Sequence, residues 1–153
     1  MKILDLIESA LNENGYLSYT RVDDAILWVG NSDNELNRTL DMTFENSIRV
    51  QIGSATNYFE EDNLDIKKIL ELFLKSLSCD IIETVSKNKA KTLERRYEIQ
   101  EHNEKVDLGI ESSLLGIWQK KNHEEQINHK PILKKETTSA LMDELILVLE
   151  NND

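Results

Sequence analysis

The chain has 153 residues, 39% of them hydrophobic and 31% charged, with a formal net charge of −11. That length suits one domain with a core of its own, and the composition is too apolar for a disordered chain. The negative charge opposes a nucleic-acid partner, and the single cysteine, Cys79, excludes an intramolecular disulfide and a zinc site built on several thiolates.

The elements follow in chain order. Ile3, Leu4, Ile7, Ala10 and Leu11 repeat at helical spacing, and Asn14-Gly15 supplies a stop, so a first helix is predicted over about residues 2–14. Acids at Asp5 and Glu8 interrupt the apolar stretch that a secretory leader needs, and no apolar run approaches the roughly 18 residues of a membrane span. A cytoplasmic location with no membrane contact is the expectation. Leu17 and Tyr19 then alternate, Asp23-Asp24 makes a turn, and Ala25–Val29 is a continuous apolar run of the kind a strand covered on both faces shows. After a loop at 30–34, Leu40, Met42 and Phe44 alternate with polar residues, as do Ile48, Val50 and Ile52, which predicts a hairpin with one apolar face.

Asn63 is placed to cap a helix striped by Ile66, Ile69, Leu70, Phe73, Leu74 and Leu77. Residues 79–92 are ambiguous between helix and strand, and Cys79 within them suits a buried thiol. Tyr97 and Ile99, a polar turn at His102–Lys105, and Val106, Leu108 and Ile110 predict a second hairpin over about 94–112. Leu114–Trp118 is an apolar patch. Residues 120–135 are polar, hold the only proline, Pro131, and are expected as a loop or insert. Thr138 or Ser139 is expected to cap a last helix with Leu141, Met142, Leu145, Ile146 and Leu149. The fold class read from this pattern is α+β, in the order α-β-β-β-β-α-β-β-α. An antiparallel sheet of about five to six strands would pack against two to three helices.

Charge is uneven along the chain. Residues 1–84 hold 7 basic and 16 acidic residues, residues 85–135 hold 11 and 8, and residues 136–153 hold no base and 5 acids. Catalytic arrangements fall short throughout. His123 and His129 are six apart in a polar stretch, whereas helical zinc pairs sit four apart. The five glycines form no phosphate loop, and no Gly-x-Ser-x-Gly elbow occurs. Asp41 and Glu45 on one strand face would suit magnesium or, more simply, a solvated face. Lys87, Lys89, Lys91, Arg95 and Arg96 form the one basic cluster, read as ion-pair partners for nearby acids. No catalytic residue, metal or cofactor is assigned.

The order of Lys2–Leu11, the strands within Leu17–Ile52, Ile66–Leu77, Tyr97–Ile110 and Leu141–Leu149 resembles the type III secretion chaperone-like superfamily. That resemblance implies a small acidic α+β protein that often dimerises and wraps a client segment. The acidic charge and the lack of a catalytic motif also resemble bacterial immunity or antitoxin proteins, which neutralise a toxin domain. The first expectation is therefore a non-enzymatic, protein-binding inhibitor of the immunity type whose partner is another protein, with a basic surface to match. A secretion-chaperone-like module, with a homodimer left open, is the alternative, and a metal-dependent enzyme the third reading. Candidate partner contacts are Asp33, Glu35, Glu45, Glu60, Glu61, Asp62 and Asp65, for electrostatic steering, and Trp118, because tryptophan is enriched at interface hot spots.

Overall fold

The computed structural model describes residues 2–30, 35–44, 47–55, 66–113 and 118–151. Helix α1 (Lys2–Glu13) is followed by β1 (Tyr19–Val22), β2 (Ile26–Val29), β3 (Arg38–Phe44) and β4 (Ser47–Ile52). Helix α2 (Ile66–Ser78) leads to β5 (Ile81–Asn88), β6 (Lys91–Glu101), β7 (Glu104–Ser112) and β8 (His123–His129), and α3 (Lys135–Asn151) closes the chain. The class is α+β. The strands form two antiparallel sheets of four, in the orders β1-β2-β3-β4 and β7-β6-β5-β8, not the single sheet of five to six expected.

Both additional strands lie where alternation of apolar residues is weak. In β5 the inward positions are Ile81, Glu83 and Val85, so a buried carboxylate interrupts the apolar row. Residues 120–135, expected as a polar loop, contain β8, whose residues 123–128 are exposed on both faces. Backbone pairing with β5 holds β8, from Ile81↔His129 to Lys87↔His123.

Elsewhere local chemistry sets the elements near their predicted places, with two departures, in β2 and at the start of α3. Helix α1 buries Ile3, Leu4, Ile7 and Leu11 and ends where Gly15 takes φ 73°. The Tyr16 N–H then donates to Leu11 O at 2.9 Å and the Gly15 N–H to Asn12 O at 3.0 Å, a Schellman ending. The β6–β7 hairpin turns at His102 (φ 45°) and Asn103 (φ 68°), a two-residue loop with both φ positive, which matches strand twist. Strand β2 buries Leu27 and Val29, but Ile26 and Trp28 are only half-buried, so the run Ala25–Val29 is covered fully on one face. Helix α3 begins at Lys135 and not after Thr138, whose hydroxyl donates to Lys135 O within the first turn.

One core joins both sheets. Leu40, Val50 and Ile52 of the first sheet and Ile81, Tyr97, Ile99 and Leu108 of the second meet Leu70, Phe73 and Leu77 of α2, with Leu141 and Leu145 of α3. Each such fully buried Leu, Ile or Phe side chain contributes about 2 kcal/mol relative to exposure. No helix among the described residues is long and apolar enough to cross a membrane.

Candidate functional site

Three surfaces carry chemistry. The first is acidic and lies on α1 and the β1–β2 turn. Arg21, on β1, donates through Nη1 to Asp5 Oδ1 and to Glu8 Oε2, both at 2.7 Å, and through Nη2 to Asp24 Oδ1 at 2.5 Å. Its Nε donates to Asp23 O at 2.7 Å. Residues 5 and 8 share a helix face because they are three apart, and the turn brings Asp23 and Asp24 to the same place. The carboxylates of Asp5, then Glu8, hold the Arg21 guanidinium above its ordinary pKa. Asp5 and Asp24 remain largely exposed beside it.

The second surface is basic and aromatic. Trp118 is 85% exposed, the most exposed large apolar side chain among those described. The strip after it is tied to the β5–β6 turn: Asn88 Nδ2 donates to Lys120 O at 2.7 Å, the Lys89 N–H to Asn122 Oδ1 at 3.2 Å, and the Asn122 N–H to Lys87 O at 3.0 Å. Exposed Lys89, Lys91, Lys120 and Lys121 thus lie on the turn and on the strip that follows Trp118. Lys87 pairs with Glu125 at 3.1 Å and Lys121 with Glu94 at 2.8 Å. Lys87, then His123, holds the Glu125 carboxyl below its ordinary range.

The third is a cleft of about 350 Å³ between the β2–β3 connection and the end of β8. Tyr16, Glu35, Leu36 and Arg38 line one side; Asn128, His129, Lys130, Pro131 and Ile132 line the other. Arg38 is 2% exposed. Its Nε donates to Ser76 O at 3.0 Å and its Nη1 to Leu36 O at 2.9 Å, so the cation sits at the negative C-terminal end of α2. Burial pushes its guanidinium down to about 10, so it stays charged at neutral pH. Tyr16 donates its hydroxyl to Glu35 Oε2 at 2.6 Å. Burial first, and then Glu35, raises that phenol to about 12. Behind the cleft, buried Glu83 bridges two strands: Arg95 Nη1 donates to its Oε2 at 2.8 Å, and His129 Nε2 lies 3.1 Å from its Oε1.

Of the contacts expected from sequence, Glu35 and Trp118 are described, in the cleft and at the basic end respectively, and the structure does not bring them together. Asp33, Glu45, Glu60, Glu61, Asp62 and Asp65 lie outside the described residues, as does the Asn63 cap. His123 and His129, read as loop residues, are strand residues held by different acids, Glu125 and Glu83. The basic cluster divides: Lys87 and Arg95 are paired, while Lys89 and Lys91 stand at the turn. Sequence reasoning missed the grouping of Asp5, Glu8, Asp23 and Asp24. The helical spacing of 5 and 8 was legible; the packing of the turn against it was not. It also missed Arg38, a lone arginine in an alternating strand. Among the described residues, no three His, Cys, Asp or Glu side chains are grouped so as to hold a metal ion. No protein-family model, curated protein or solved structure matches the chain.

Proposed function

We propose that this chain is a non-enzymatic, acidic protein-binding domain of the immunity or antitoxin kind, which neutralises a basic toxin domain by covering its active site. The observation that carries this reading is the acidic face. Asp5, Glu8 and Asp24 already hold a guanidinium, that of Arg21, in a geometry suited to the arginines and lysines of a basic partner. The net charge of −11 would speed the encounter, and Trp118 offers a second, apolar contact.

The test is neutralisation of basic toxin domains encoded beside the gene, with association followed by surface plasmon resonance. The variant D5N/D23N/D24N should slow association roughly tenfold at low salt, and Trp118→Ala should speed dissociation. Association with every such toxin that ignores both variants and salt would overturn the reading. A stable homodimer that captures an unfolded client segment would favour the secretion-chaperone-like alternative instead.

A further inference from the structure

The cleft at Arg38 is not used by the acidic face. Its floor holds a guanidinium that is almost wholly buried and incompletely satisfied: Nη2 is sealed from solvent and has no hydrogen-bond partner. Among the described residues, no carboxylate lies within ion-pairing distance of Arg38. The carbonyls of Ser76 and Leu36 supply its only hydrogen bonds. Glu35 acts on this charge only at longer range, so its direct partners are neutral carbonyls; such a buried charge is costly, and an anion brought beside it supplies the missing interaction.

A second cationic group and an imidazole line the same cleft. Lys130 projects at the mouth and has only a long contact, 3.9 Å, to Asp80. His129 is fixed from behind by Glu83. The one carboxylate in the lining, Glu35, is engaged by the Tyr16 hydroxyl. The rest of the wall includes apolar Leu36, Pro131 and Ile132. Both sides are pinned to the last turn of α2, through Arg38 to Ser76 O, and through the N–H groups of Ile132 and Leu133 to Leu77 O at 2.7 and 2.9 Å. The site is therefore held by the core, as a preformed pocket is.

We propose that this cleft binds a small ligand bearing one carboxylate and a short apolar body, with the carboxylate between Arg38 and Lys130 and the body against Leu36, Pro131 and Ile132. Seating the carboxylate requires a local side-chain adjustment, because Nη2 lies beneath the present surface. A single negative charge is favoured over a phosphate because Glu35 shares the cleft and repels a second charge. The chemistry fits a free aliphatic acid and the C-terminal residue of a polypeptide equally, the latter being a known mode of peptide capture.

The experiment is an NMR titration of the full chain with N-acetyl-leucine, its amide N-acetyl-leucinamide, isocaproate and inorganic phosphate. N-acetyl-leucine should shift the backbone resonances of Asn128–Ile132, and the amide should not. Lys130→Ala, an exposed and structurally mild change, should weaken binding roughly tenfold, as expected for one charged contact. Arg38→Met should abolish it, with its folding checked by the same spectra. Tighter binding of N-acetyl-leucine than isocaproate assigns the site to a polypeptide terminus, and the reverse to a free acid. Equal shifts with the amide, tighter binding of phosphate, indifference to Lys130→Ala, or no binding of either acid would each overturn the proposal. None of these results bears on the acidic face, because Lys130 and Arg38 lie outside it.

Discussion

Gly53, at the end of β4, has φ +57°, and a Cβ built there would lie 2.5 Å from Cζ of Tyr97. The Tyr97 hydroxyl also meets Ser54 Oγ at 2.9 Å, so this contact fastens β6 of the second sheet to the end of the first. Gly53→Ala should therefore cost about 2–3 kcal/mol, from the left-handed backbone and the displaced ring together. The urea midpoint should fall with an unchanged slope. Tyr16 gives a second residue-scale expectation. Its phenol is raised to about 12 in the folded chain, against about 10 when unfolded. Between those values the unfolded chain has released a proton that the folded chain retains. The stabilisation is thus full below about pH 10 and lost as pH rises towards 12. Tyr16→Phe should flatten that alkaline decline in stability, and an unchanged decline would refute the assignment. Sequence marked Gly53 as the end of a strand, which it is. Nothing in it revealed Tyr97, 44 positions later, as the ring that forbids a side chain there.

At the scale of elements, Glu83 links three strands, with Arg95 of β6 and His129 of β8 on either side of it. Because residues 123–128 of β8 bury no side chain, this rung, the exposed Lys87–Glu125 pair and the backbone ladder hold it. Glu83→Ala should cost about 1–3 kcal/mol. Its signature should be local: amide exchange should quicken along β8 and stay slow in the β6–β7 hairpin. Uniform quickening would mean that the rung holds the whole sheet. The same strands show why part of the fold was legible and part was not. Alternation reports a face turned to the core, and so it found the β3–β4 and β6–β7 hairpins. It is silent about a strand held by backbone pairing and polar side-chain contacts, as β8 is, and it falters when an inward position is a carboxylate, as in β5.

For the whole molecule, the net charge of −11 was plain from sequence, but its layout depended on folding. The turn at Asp23-Asp24 reaches α1 and gathers acids there, while the strip after Trp118 reaches the β5–β6 turn and gathers lysines, two of them paired with Glu94 and Glu125. Association through the acidic face should weaken as salt shortens the reach of exposed charges to about 8 Å under physiological conditions, mainly through a slower on-rate. A dissociation rate that carried the whole salt effect would point instead to a buried ion pair.

The second sheet is completed out of chain order. Glu83 and His129 are 46 positions apart, whereas β5, β6 and β7 follow one another as a meander. Loop closure delays pairings of long separation, so β5 is expected to pair with β6 before β8, its other edge then open to a neighbouring chain. During synthesis that interval lasts at least until residue 129 has left the ribosome. The polar strand, which adds no fully buried side chain, thus covers in the folded chain the edge that its three predecessors leave open.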